Sequence, residues 1–381
     1  VRHIGLGGLA AAGLIGIIKS RKIIAGAFKL ADQEIPGKKG HGPDQDQAPR
    51  TQLDIKMKWL VVLIVSTLLG IFVFFLMLVV NGNLMYAITG LIIVTIISFL
   101  FTTVAAQAIA IVGTNPVSGM TLMTLIISSV ILVAIGLQGE NGMLAALIIG
   151  GVVCTALSMA GGFITDLKIG YWLGTTPQTQ QRWKFLGTLF AAVSVGLVIY
   201  MLNQTYGFGA EAGPNALEAP QASAMAAVLE PLMTGQPAPW LLYLSGIILA
   251  IILEFIGVPP LAFALGMYLP IHLNTPILAG GIIAHFVSKS TSDEKLQTAR
   301  KEKGTLIASG FIAGGAIMGV LAAAIVYVGQ QLTGDTKWNI MHAIGTEKWV
   351  ESSGGEMLSF VMFALLLIYM YWDSKRVKDQ D

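Results

Sequence analysis

The tightest constraint on this chain is its set of long apolar runs. They cover residues 3–18, 59–80, 84–104, 122–137, 142–163, 184–202, 240–256, 305–328 and 356–372. A helix needs roughly 20 apolar residues to cross the hydrocarbon of a bilayer, with about 17–25 the usual range. Unpaired backbone groups are too costly in hydrocarbon, so runs of this length predict membrane-crossing helices. Composition agrees. Hydrophobic residues make up 55% of the chain and charged residues 12%, with a mean hydropathy of +0.74. Soluble domains carry about 25% charged residues. The expected fold class is all-α, a polytopic helical membrane protein whose partner is the lipid bilayer. The net charge of +2 gives no electrostatic reason to expect nucleic acid.

Lys and Arg orient the runs. Nine fall in 19–58, three in 164–184, five in 289–303 and three in 375–378, which is twenty of the twenty-three. The positive-inside rule makes those four segments cytoplasmic. Segments 81–83, 138–141 and 203–239 carry none, and 331–355 carries only Lys337 and Lys348, so these four read as external. The parity closes if 257–289 begins and ends inside, and it leaves the C-terminus cytoplasmic. Trp59, Trp183, Trp240 and Trp372 fall at expected helix ends, where interfacial aromatics belong. Val1 to Ile18 lacks a small-residue cleavage signature and reads as the end of a transmembrane helix, not a signal peptide. The expected organisation is therefore 1–29 as the end of an N-terminal transmembrane bundle and 30–58 as a Gly, Pro, Lys, Asp and Gln-rich cytoplasmic linker. A C-terminal bundle over 59–373 and a tail over 374–381 follow.

Two stretches interrupt this pattern. In Val112-Gly-Thr-Asn-Pro-Val-Ser-Gly-Met-Thr121, Asn115 can cap a helix that starts at Pro116 and runs outward to about 137. Ala105 to Gly113 is then expected to be unwound or a half-helix. In Leu273-Asn-Thr-Pro-Ile-Leu-Ala-Gly280, Asn274 or Thr275 can cap a helix that starts at Pro276 and runs inward, after a short segment opened by Pro259-Pro260. Two Pro-initiated breaks of opposite orientation are what an inverted-topology repeat with broken or re-entrant helices predicts. Broken backbone persists at depth only where protein or water satisfies it, and half-helix N-termini suit anionic groups. The alternative for each motif is a membrane-surface loop with an ordinary cap.

Ionisable residues at depth are rare and usually functional. Glu254, near the inner end of its run, suits a coupling carboxylate, or else a group at headgroup level. His285, after the Pro276 break, could titrate in a relay. Gly310-x-x-x-Gly314 and Gly315-x-x-x-Gly319 place small residues on helix faces, as close helix packing uses. No Walker P-loop, H-E-x-x-H motif or G-x-S-x-G elbow occurs, and the five histidines lack ligand spacing. Cys154 is the single cysteine, so an intrachain disulfide and a thiolate cluster are excluded. Neither an enzyme nor a cofactor or metal site is expected.

Three motifs in order carry a family resemblance. They are Thr114-Asn-Pro-Val-Ser-Gly-Met-Thr121, Thr165-Asp-Leu-Lys-Ile-Gly-Tyr-Trp-Leu-Gly-Thr-Thr-Pro-Gln-Thr-Gln-Gln181 and Glu254-Phe-Ile-Gly-Val-Pro-Pro-Leu-Ala-Phe-Ala-Leu-Gly-Met-Tyr-Leu-Pro270. Over about 84–320 the chain resembles bacterial members of the oligopeptide transporter family, which includes the yellow-stripe-like metal-chelate transporters. The resemblance implies a secondary transporter of oligopeptides or metal–chelator complexes, proton-coupled, working by alternating access in a bacterial inner membrane. It also implies that this sequence matches the C-terminal part of a longer chain. On this reading Asn115, Pro116, Ser118 and Gly119 form one substrate-binding element. Tyr268, Pro270, Asn274 and Pro276 form the other, with Glu254 and His285 coupling transport to protons. A passive channel, or a carrier of another small solute coupled to another ion, is the alternative.

Overall fold

A computed structural model describes residues 1–19, 49–112, 117–209, 216–217, 219–235, 239–335, 338–340, 344–350 and 352–377. The linker expected over 30–58 lies largely outside them. The fold is all-α, and the β pairing among the described residues is one isolated bridge, Phe208 to Leu217. The helices are α1 (Arg2–Lys19), α2 (Met57–Phe74, continued by a π turn Phe75–Val79), α3 (Leu84–Val112), α4 (Val117–Ala134), α5 (Gly139–Leu173) and α6 (Pro177–Thr205). They continue with α7 (Pro220–Thr234), α8 (Trp240–Ile256), α9 (Pro260–Tyr268), α10 (Ile271–Ser288), α11 (Glu294–Thr333) and α12 (Ser353–Ser374), with single turns of helix at Arg50–Gln52 and Glu347–Val350 besides. Seven of these, α2, α3, α5, α6, α10, α11 and α12, are long and apolar enough to cross a membrane. Two more, α4 and α8, are apolar but shorter. The chain is an integral membrane protein.

The described residues form two compact units, Val1–Leu189 with Pro220–Leu269, and Phe190–Ala219 with Pro270–Asp381. The main core of the first unit lies between α3, α4 and α5, with Phe75 and Val79 from the π turn and Leu229 and Met233 from α7. Small polar side chains enter this core already satisfied. Thr124 Oγ1 donates to Met120 O at 2.9 Å, and Ser129 Oγ donates to Leu125 O at 2.6 Å. A hydroxyl bonded to its own helix carries no desolvation debt into an apolar interior.

The rest of the first unit is built around α1, whose glycines let other backbones touch it. A Cβ on Gly7 would lie 2.1 Å from Tyr243 O of α8, and one on Gly246 of α8 would lie 2.0 Å from Ile4 O. On α9, Ala264 O and Tyr268 N stand 3.0 and 3.1 Å from a Cβ on Gly5, and Ala264 Cβ stands 2.9 Å from one on Gly8. Contacts that advance along α1 while receding along α9 make these two helices antiparallel. Contacts that advance along both, from Gly7–Tyr243 to an ion pair between Lys19 and Glu254, make α1 and α8 parallel.

Three local expectations are corrected. Ala105 to Val112 continues α3 without unwinding. The stretch Ala-Ala-Gln-Ala-Ile-Ala is strongly helix-forming, and Val104 and Ala105 are buried against the core. Pro276 does not start a helix; it lies inside α10, and Asn274 and Thr275 lie inside with it rather than capping. The break falls six residues earlier, where Pro270 forces Leu269 into an extended conformation, φ −63° and ψ 143°. Pro276 is tolerated near the helix start at the loss of one backbone hydrogen bond, while Thr275 Oγ1 donates to Ile271 O at 2.9 Å. Gly310, Gly314, Gly315 and Gly319 do not serve close packing among the described residues, since a Cβ at each would meet nothing within 4 Å.

In the second unit, α10, α11 and α12 pack together. Polar ties gather at one end of α11: Lys303 Nζ to Asp373 Oδ1 at 3.1 Å, Arg300 to Ser290 Oγ at 2.8 Å, and Gln297 Nε2 to Ser288 O at 2.6 Å. The two sets of glycines make opposite predictions for thermal unfolding in detergent. Gly246→Leu is expected to destabilise by roughly 1–3 kcal/mol or more through overpacking. Gly314→Ala is expected to be neutral or stabilising by up to about 1 kcal/mol.

Candidate functional site

The candidate site begins at a change of direction between α8 and α9. Gly257, at φ 82°, ends α8 with its N–H on Glu254 O and Leu253 O. A left-handed residue there suits glycine. Pro259 then caps α9 from an extended conformation and Pro260 occupies its first position, so the sequence fixes this start on two counts. The helix has only nine residues, about 13.5 Å. That is less than half the roughly 30 Å of a bilayer core, so α9 is a half-helix. No side chain caps its first turn.

The start of α9 meets the start of α4 on the surface of α1. Gly119, in the first turn of α4, is buried, and a Cβ on it would stand 3.3 Å from Gly13 Cα and 3.7 Å from Leu261 Cδ1. The first turn of α4 and the Pro260 start of α9 therefore converge in this unit. Helix N-termini expose unpaired N–H donors and carry partial positive charge. Ser118 lies in the same first turn, while Asn115 and Pro116 lie outside the described residues.

Tyr268 ends α9 in a small hydrophobic cluster with Leu6 and Leu9 of α1, Leu122 of α4 and Ala224 of α7. A narrow cavity of about 10 Å³ beside it is also lined by Gln221 and Leu265, room for about one water molecule. Glu254 sits in the last turn of α8, where the helix dipole disfavours a carboxylate by about 0.3–1 kcal/mol. Its compensation is Lys19 in the last turn of α1, where the dipole favours a cation. Pro270, Asn274, Pro276 and His285 belong to the second unit. Pro270 caps α10, Asn274 and Pro276 lie in its first two turns, and His285 is exposed near its end, edge-on to Phe286.

Sequence reasoning missed α1 as part of this site. The signal was present as Gly5-x-Gly-Gly8 and Gly13, a small-residue pattern of the kind that admits close helices. It also missed Lys19 as the partner of Glu254. The motif 165–181 forms the hairpin between α5 and α6, closed by Gly174 at φ 67°. Asp166 pairs with Lys184 at 2.5 Å, and Gln180 Nε2 donates to Asp166 O at 3.2 Å. The Gln-rich start of α6 holds residues 53–55. Gln178 N donates to Leu53 O at 2.8 Å, Ile55 N donates to Gln181 Oε1 at 2.8 Å, and Gln181 Nε2 donates to Asp54 Oδ1 at 2.7 Å.

The Lys19–Glu254 pair is partly exposed, so its contribution to stability should be small. A double-mutant cycle with Lys19→Met and Glu254→Gln, read by thermal unfolding, is expected to return a coupling of about 0.2–1 kcal/mol. A value well above that would mark the pair as a structural clamp.

Comparison with known proteins supplies the context for this geometry. A family model described as OPT oligopeptide transporter protein matches residues 1–326. A Haemophilus influenzae protein, provisionally described as an oligopeptide transporter, is 25% identical over 411 residues, covering 97% of this chain and 62% of that protein. The chain thus spans less than two thirds of the length of this curated relative. No solved structure matches it.

Proposed function

Because the chain belongs to the oligopeptide transporter family, a family of transporters and not of enzymes, we propose that it carries oligopeptides across a membrane by proton-coupled alternating access. The observation that carries this reading is the meeting of the α4 and α9 starts on α1, flanked by the Lys19–Glu254 pair. A peptide in solution presents a carboxylate, an ammonium group and backbone amides. The N–H groups at the two helix starts suit the carboxylate and the backbone carbonyls. Glu254 suits the ammonium group or a proton, either of which would compete with Lys19. The region around Tyr268 is closed down to about one water in this conformation. Admission of a peptide would need α9 to move away from α4 and α1, and alternating access would supply that motion.

Asn115, Pro116, Ser118 and Gly119 form the first substrate element on this reading; Tyr268, which the sequence reading groups with the second element, lies in the first unit at the far end of α9 and joins them here. Pro270, Asn274 and Pro276 form the second, at the cap and in the first two turns of α10. His285, in the second unit, is the other coupling residue on this reading. The protein sits in a bacterial inner membrane with its C-terminus cytoplasmic. The parallel sense of α1 and α8 supports that topology, since charge parity sends both inward. A metal–chelator complex is the second substrate class, because it too presents carboxylates to helix starts.

Uptake into proteoliposomes tests the proposal directly, with labelled di- and tripeptides set against metal–chelator complexes under an imposed inward proton gradient. Gradient-driven peptide accumulation is expected. Glu254→Gln should reduce it about tenfold, within the 1–3 kcal/mol typical of coupling between sites. Unchanged accumulation in that variant removes Glu254 from coupling. Peptide flux that runs down its own gradient with no response to protons identifies a passive channel instead.

A further inference from the structure

A second cavity lies in the first unit, between α2, α3 and α5, with a volume of about 350 Å³. Its origin is local. The π turn Phe75–Val79 makes a backbone bond from Val80 N to Phe75 O at 3.0 Å, one residue longer than an α turn. This turn sets Phe75 down onto α3, where a Cβ on Gly90 would meet the Phe75 ring at 2.7 Å. The α2 segment ahead of the turn then stands off α5 and leaves a notch. Gly70 widens it, since a Cβ there would meet nothing within 4 Å. Phe75, Val94 and Ile149 form a buried floor, whereas Gly70 and Phe74 form an exposed rim on α2.

The chemistry of the lining restricts what can enter. The polar side chain at the cavity, Thr67, spends its hydroxyl on Leu63 O at 2.8 Å. The other lining side chains are apolar, so a peptide or an ion would lose its hydration there with nothing in return. The depth is fixed by two helices independently. Val94 lies ten residues beyond the start of α3 at Leu84, and Ile149 lies ten residues beyond the start of α5 at Gly139. Ten residues are about 15 Å of helix, half of a roughly 30 Å hydrocarbon layer. With the topology proposed above, which sets Leu84 and Gly139 at the external boundary of the hydrocarbon, this depth falls near the bilayer midplane, and the exposed rim on α2 is the side open to lipid.

We propose that this cavity is a binding site for the distal half of a phospholipid acyl chain, entering sideways from the bilayer past Gly70. Midplane depth keeps the headgroup well away, so the site selects for the chain and is indifferent to the headgroup. Apolar burial supplies about 0.8 kcal/mol per methylene. A bound chain also fills the gap that the π turn opens between α2 and α5, and so braces α2.

Photolabelling in proteoliposomes tests this. One phospholipid carries a diazirine at the terminal acyl carbon and another carries it next to the ester, and adducts are mapped by peptide mass spectrometry. The terminal probe is expected to label Phe74–Phe75 and Ile148–Val152 in excess of the ester-proximal probe, with phosphatidylglycerol and phosphatidylethanolamine alike. Gly70→Phe should reduce labelling at Ile149 about tenfold, the equivalent of excluding roughly two methylenes. Labelling of the exposed Val65 should stay unchanged as the internal reference. Val152→Phe fills the same cavity from the opposite wall and repeats the test should the first variant fold poorly. Equal labelling of Ile149 by the two probes, or labelling that survives both substitutions, overturns the assignment.

Discussion

The part of the first unit that carries the candidate site depends on backbone touching backbone along α1. Within a bilayer there is little hydrophobic drive to bring one helix to another, because lipid tails are as apolar as leucine. Association rests on dispersion and on how closely main chains can approach. Gly5, Gly7 and Gly8 remove the side chains that would hold α8 and α9 away, and Gly246 and Ala264 answer from the other side. Gly13 does the same for α4 at Gly119. Without this row of missing side chains, a half-helix of nine residues would have no wall to lie against. Its polar ends would face hydrocarbon.

That arrangement also explains the tolerance for two charges near the candidate site. A carboxylate at a helix C-terminus is misplaced on its own. The parallel packing of α1 and α8 brings a lysine to the same level, so each charge offsets the other and one of the two helix dipoles is satisfied. The helices are held by apolar and backbone contact, and the partly exposed ion pair adds little to that hold.

Much of this was legible in the sequence because the bilayer imposes simple rules. Run length marked the spans, and Pro259-Pro260 marked the start of the short helix α9. The failures have physical causes as well. Pro276 looked like a helix start because Asn274 and Thr275 are good caps. Pro270 had already set the boundary, and a helix once started absorbs a proline in its second turn. Ala105 to Val112 looked breakable because of the polar residues that follow, but its own residues favour helix and its first ones are buried. The role of α1 was hidden because helix partners far apart in sequence are set by shape complementarity, which a single chain does not spell out. The same reasoning misread Gly310 and its neighbours: small residues permit close approach without compelling it.

The π turn at Phe75–Val79 has an evolutionary reading. Such a turn is an α-helix that has accepted one residue too many. Removing that residue would restore regular winding and rotate Met57 to Phe74 by about 100° relative to Val80. Every side chain that α2 turns toward α5 would then be replaced by a neighbour from another face, and the cavity as it stands would be lost. A pocket of this kind can be gained or lost by one in-frame codon insertion or deletion, with no residue that lines it altered. Comparison of relatives at this position should therefore count residues before it compares their identities.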